Sequence, residues 1–137
     1  MVISLSSVLI IVLCHWVFDF IFQAEEWATN KSKRLGPLLN HTITYSGLWT
    51  IPMLILFGFH NPHQEVVELV NKVMVFVFVT FVCHTITDYF TSKWVSKKFE
   101  REEYGSPIPN TGAFTVIGLD QILHYFQLFI TYYLMIK

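Results

Sequence analysis

The sequence predicts an all-α fold: a four-helix transmembrane bundle built from two repeated helical hairpins. Three observations predict it. Of the 137 residues, 53% are hydrophobic and only 14% charged, against roughly 25% charged in an average soluble domain. The apolar residues gather into four stretches, each near the roughly 20 residues that a bilayer core demands of a helix. The polar residues inside those stretches recur in pairs with one spacing. Residues 1–137 are therefore expected to form a single integral membrane domain.

The first span covers about 3–22. Its "LSSVLIIVLC" (5–14) has too few polar residues for the amphipathic stripe of a soluble bundle helix. It lacks a basic n-region and a small-x-small cleavage site, so a retained anchor is expected in place of a signal peptide. A polar connector, "QAEEWATNKSKRLGP", leads to the second span, about 39–59, where "LWTIPMLILFGF" is again nearly all apolar. The short "HNPHQE" carries no Lys or Arg and leads to the third span, about 66–90, whose start is crowded by Glu65, Glu68 and Lys72. A long connector, "TSKWVSKKFEREEYGSPIPN", precedes the fourth span, about 113–136. Gly and Pro in the connectors punctuate the helix starts. Lys31, Lys33, Arg34, Lys93, Lys97, Lys98 and Arg101 all fall in the first and third connectors. The positive-inside rule places those connectors in the cytoplasm and both termini outside it.

The chain reads as a duplication. Helix 1 ends in Cys14-His15-x3-Asp19-Phe20 and helix 3 in Cys83-His84-x3-Asp88-Tyr89. The helices that follow align as "LNHTITYSGLW" against "LDQILHYFQLF", matching at Leu39/Leu119, Tyr45/Tyr125 and Leu48/Leu128. Each half is then one hairpin of two spans, which implies an approximate two-fold axis along the membrane normal.

His15/Asp19, His84/Asp88 and Asp120/His124 share the i,i+4 spacing that stacks two side chains on one helix face. In an up-down-up-down chain the ends of helices 1 and 3 share a depth with the starts of helices 2 and 4. His41, at the start of helix 2, joins the same layer, within roughly 15 Å of the cytoplasmic surface at 1.5 Å rise per residue. A lone intramembrane histidine is usually a packing residue. Three buried carboxylates are different, because each costs several kcal/mol unless compensated. No Lys or Arg lies within the spans at that level, so compensation falls to protonation, to the histidines or to metal. His15, Asp19, His41, His84, Asp88, Asp120 and His124 are the candidate ligands for one or two divalent transition-metal ions, Zn, Mn or Fe. Cys14 and Cys83 lie about 100° around the helix from the ligand face and read as packing residues. His60 and His63 fall in the opposite connector.

Helices 2 and 4 start beside the cluster, and their N-termini favour an anion, phosphate above all. Lys31 and Lys93 flank the opening as candidates for a direct catalytic or substrate-binding role. Gln23 and Gln121 could orient water or substrate, and "GSPIPNTGAF" (105–114) could form a lid. A metal pair would activate water and clamp a phosphoryl or carbonyl oxygen, with Asp19 and Asp88 essential to turnover and unliganded Asp or His shuttling protons.

His15-x3-Asp19-Phe20-x2-Gln23, Lys31, His41, His84-x3-Asp88 and Asp120-Gln121-x2-His124 resemble a family of short bacterial and phage membrane proteins of unknown function. The resemblance covers most of the chain, with Asp-Gln-x2-His its most specific part, and implies the inner membrane of a bacterium. More loosely, the repeated His-x3-Asp is similar to the LexA-associated inner-membrane metal-dependent hydrolases, which implies hydrolysis without naming a substrate.

The expected function is thus a membrane-embedded metal-dependent hydrolase acting on a phosphoester or lipid-linked phosphate at the cytoplasmic leaflet. Its partners are membrane lipid and a phosphate-bearing substrate. A metal-ion or proton transporter using the same cluster is the alternative, for which four spans would call for a homo-oligomer. Haem would need two apposed histidines and no accompanying aspartates. A net charge of −1 gives no reason to expect nucleic acid, and two cysteines make no disulfide framework. No G-x-S-x-G, Walker A or CxxC motif competes.

Overall fold

One stripe on one long helix organises the chain. In a computed structural model, which describes residues 3–105 and 107–137, α5 spans Val66–Glu100 and buries Val73, Phe76, Thr80, His84 and Asp88. Those positions step by three or four residues, so they form a single face. Around it stand α1 (Leu5–Trp16), α3 (Leu35–Leu48), α4 (Thr50–His60) and α6 (Thr111–Ile136). A short α2 (Glu25–Asn30) bridges α1 and α3. The chain is all-helical, with no strand among the described residues.

Local chemistry sets the boundaries. Ser4 Oγ accepts from the Ser7 N–H at 3.1 Å and caps α1. Asn110 Oδ1 caps α6, accepting from Gly112 N at 3.0 Å and Ala113 N at 3.4 Å. Trp49 separates α3 from α4, three residues before Pro52, whose ring removes the N–H that would bond back to Leu48. After Trp16 the first helix continues as a π segment, Val17–Ile21, closed by Phe22 N donating to Val17 O at 3.0 Å. A π turn is wider than an α turn and re-aims the side chains it carries. The re-aimed residue here is Asp19.

The core beyond the polar stripe is aromatic. Trp49, Met53, Phe57, Phe76, Leu128 and Tyr132 are buried in one cluster. Phe57 stacks on Tyr132 with ring centroids 5.5 Å apart, and Trp49 and Phe76 meet edge to face at 5.8 Å. The outer surface is also apolar: Leu5, Phe59, Val66, Phe78, Phe90 and Phe126 are all more than 60% exposed. So much exposed apolar area suits a hydrocarbon surround.

Among the described residues, three rods are long and apolar enough to cross a membrane: Leu35–His60, Val66–Glu100 and Thr111–Ile136. The N-terminal one, Leu5–Ile21, is shorter. The expected span of about 39–59 starts earlier, at Leu35, because Pro37 fits the first turn of a helix, where its missing N–H has no partner to lose. The third rod outruns its expected end at 90, since Thr91–Glu100 contains no Gly or Pro to stop it. At 35 residues, α5 is about 52 Å long. The first and third connectors are therefore partly helical.

Candidate functional site

Four helical rods deliver polar side chains to one point. From the π segment comes Asp19, from α3 His41, from α5 His84 and Asp88, and from α6 Asp120 and His124. Asp19, His41, His84, Asp88 and His124 are all buried, and Asp120 is partly so. His41 Nε2 lies 3.1 Å from His84 Nε2, 3.2 Å from Asp19 Oδ1 and 3.4 Å from Asp88 Oδ2. His84 Nε2 lies 3.5 Å from Asp19 Oδ1 and 3.7 Å from Asp88 Oδ2. At most one hydrogen can sit between the two facing imidazole nitrogens. Asp19 Oδ1, though buried, accepts no hydrogen bond.

On the far side of Asp88, His124 Nε2 stands 3.2 Å from Asp88 Oδ1 and 3.5 Å from Asp120 Oδ2. Asp19, His41 and His84 could hold a cation, their ligand atoms lying within 4.8 Å of one another, and so could His84, Asp88 and His124. Three carboxylates meet one lysine here: Lys31 Nζ donates to Asp88 Oδ2 at 2.7 Å. Burial alone would lower the Lys31 pKa, but the Asp88 and Asp19 carboxylates more than offset it and hold the ammonium above its ordinary value. The remaining negative charge calls for protonated histidines or a metal cation.

His15 stands apart from the other histidines of the cluster. Both of its ring nitrogens are engaged, Nδ1 with the Tyr45 hydroxyl at 2.7 Å and Nε2 with Gln121 Oε1 at 2.8 Å. The π segment leaves its Nε2 4.0 Å from Asp19 Oδ2. Gln121 is a latch: it accepts from His15 and donates to Asp19 Oδ2 at 3.1 Å and Asp120 Oδ2 at 3.2 Å. Tyr45, fully buried, also stacks flat on His84 with centroids 3.9 Å apart. Sequence reading missed it as a site residue, although His41-x3-Tyr45 has the same one-face spacing as the three pairs.

A cavity of about 420 Å³ opens onto the cluster. Asp19, Asp88, Asp120 and Gln121 form its floor, with Gln23, Lys31 and Lys33 around them. Thr91, Ser92 and Ser96, on the overlong end of α5, supply a hydroxyl wall, and Phe20, Phe99 and Ile117 an apolar one. Lys93 is absent from this lining; its ammonium sits 3.6 Å over the Tyr89 ring. The N-terminus of α6 is remote as well. It is capped by Asn110, and Asp120 lies nine residues beyond Thr111, about 13 Å along the helix. No described residue of 105–114 lines the cavity; Ser106 lies outside the described residues. Asn110 N instead bonds back to Tyr104 O at 2.7 Å. A second cavity, which Phe57, His60, Glu68 and Lys72 help to line, lies at the opposite end, beyond the aromatic core.

Fold and cluster define a helical protein with rods of membrane-crossing length around a buried histidine–carboxylate centre. The chain belongs to the family described as protein of unknown function DUF3307, which matches residues 8–137. No curated protein and no solved structure matches it. The likeness to LexA-associated hydrolases thus has no named relative behind it and rests on the His-x3-Asp motif.

Proposed function

We propose that the protein is a four-span membrane enzyme of the bacterial inner membrane, using a divalent metal held by Asp19, His41, His84 and Asp88 to hydrolyse a phosphate ester. One observation carries this reading. Ligands about 2.0–2.1 Å from a tetrahedral ion stand about 3.3–3.4 Å from one another. The distances from His41 Nε2 and His84 Nε2 to Asp19 Oδ1, to Asp88 Oδ2 and to each other run from 3.1 to 3.7 Å. The orphaned Asp19 Oδ1 fits the same cage. A bound Zn, Mn or Fe ion would lower the pKa of water and neutralise developing charge.

The chain's own residues divide the remaining work. Lys31, beside the cavity floor, holds the phosphate, with Lys33 also in the lining. Lys93, engaged with Tyr89, is the weaker candidate. Gln23, whose buried Oε1 accepts no hydrogen bond, orients water or a substrate hydroxyl. The apolar wall of Phe20, Phe99 and Ile117 suits the chain of a lipid phosphate entering from the cytoplasmic leaflet. The basic connectors orient the protein with both termini outside the cytoplasm.

The contacts also support the internal repeat. Its alignment pairs His15 with His84 and His41 with Gln121. Correspondingly His84 meets His41 and His15 meets Gln121. The aromatic core favours an enzyme over a transporter, because it separates the cavity from the opposite end.

The test is metal analysis of purified protein by mass spectrometry, followed by phosphate release from lipid phosphates and nucleotides in detergent. Bound metal and turnover of one substrate are expected, both lost in His84→Ala. Metal-dependent ion flux in liposomes without turnover would give the site to the transporter.

A further inference from the structure

The geometry points to a second divalent cation beside the first, bound by Asp88 Oδ1, His124 Nε2 and Asp120, with the Asp88 carboxylate bridging the two ions. This inference rests on the metal reading above and deepens it.

The two oxygens of Asp88 serve different neighbours. Oδ2 faces His41 at 3.4 Å and His84 at 3.7 Å, whereas Oδ1 faces His124 at 3.2 Å. The His84 and His124 rings stack with centroids 4.1 Å apart and planes 25° from parallel. Each therefore presents its Nε2 to its own oxygen of one carboxylate. Two ions held by these two histidines and the two oxygens of Asp88 would suit the roughly 3.5–4 Å spacing of two-metal sites. Asp120 completes the second position. Its Oδ2 lies 3.5 Å from His124 Nε2, and its Oδ1 is buried with no hydrogen-bond partner. Like Asp19 and Asp88 it lines the cavity, so an ion held there would face whatever enters. Three protein ligands leave room there for water or a phosphoryl oxygen, as an open site requires.

Without an ion, His124 as a cation between Asp88 and Asp120 would satisfy the same geometry, and the experiment separates the two cases. Full-length protein in detergent is equilibrated with Mn²⁺ or Zn²⁺, freed of excess by gel filtration and analysed for metal per chain. Two ions are expected in the wild type and one in both Asp120→Asn and His124→Gln. The Mn²⁺-loaded wild type should give the electron paramagnetic resonance spectrum of an exchange-coupled pair, and either variant the six-line spectrum of an isolated ion. One ion in all three proteins, with an isolated-ion spectrum throughout, overturns the second site and leaves His124 in an ion pair. Two ions retained in both variants overturn the ligand assignment. No ion in the wild type overturns the metal reading itself. The wild-type spectrum decides the question even if a variant fails to fold.

Discussion

Lys31 Nζ stands 2.7 Å from Asp88 Oδ2, tying the loop after α2 to the middle of α5. The carboxylate is buried and the lysine nearly so, at 2% and 18% side-chain exposure, so the pair lies between the surface and buried extremes of ion-pair energetics. In chelator-treated protein, Lys31→Met should lower stability by about 1–3 kcal/mol. The lysine's pKa is raised, so its contribution is complete below its unfolded value and lost only as pH rises through the raised one. Thermal melts should therefore show the same wild-type-to-variant gap from about pH 6 to pH 9. A gap that closes within that window contradicts the assigned charge. In metal-loaded protein the same variant should keep its metal and raise KM for the phosphate substrate.

Tyr45 and His15 form a support for the cluster. Tyr45→Phe deletes the hydroxyl 2.7 Å from His15 Nδ1 and leaves a buried ring nitrogen unpaired, a loss of about 1–3 kcal/mol. Metal content should be unchanged. His15→Ala should likewise retain metal, whereas His41→Ala should lose it. Equal loss in His15→Ala and His41→Ala, by elemental analysis, would make His15 a ligand in its own right.

Orientation can be read from two serines. Ser32 and Ser96 both line the cavity, in the connector before α3 and on the protruding end of α5. Single cysteines placed there should react with a membrane-impermeant maleimide in inverted vesicles and stay unlabelled in intact cells. Labelling of either from outside would reverse the topology.

The site was legible wherever a regular helix carried it. His84/Asp88 and Asp120/His124 keep the one-face relationship their spacing implies, because α5 and α6 are uninterrupted there. His15/Asp19 has the same spacing but falls at the start of a π segment, whose wider turn sends Asp19 to His41 and His84 and leaves His15 to Tyr45 and Gln121. Nothing in "CHWVFDFI" announces that turn. Lys31 and Lys93 were equivalent in sequence. The fold separates them: Lys31 follows α2 into the cavity, while Lys93 is one turn from Tyr89 on α5 and lies on its ring. The hydroxyl wall of Thr91, Ser92 and Ser96 was hidden by the charge around it, which reads as connector although the helix persists to Glu100.

The aromatic core behind the cluster makes the cavity a cul-de-sac. Under the proposed hydrolysis, whatever is released there would leave through the opening by which the substrate arrived, past the same lysine. Free phosphate would then compete with the incoming ester for Lys31, and turnover would slow as phosphate accumulates on the side where it is discharged. Such an enzyme works against its own exhaust: its rate in a cell would follow how quickly the cytoplasm clears phosphate from the mouth as much as how quickly the bond is cut.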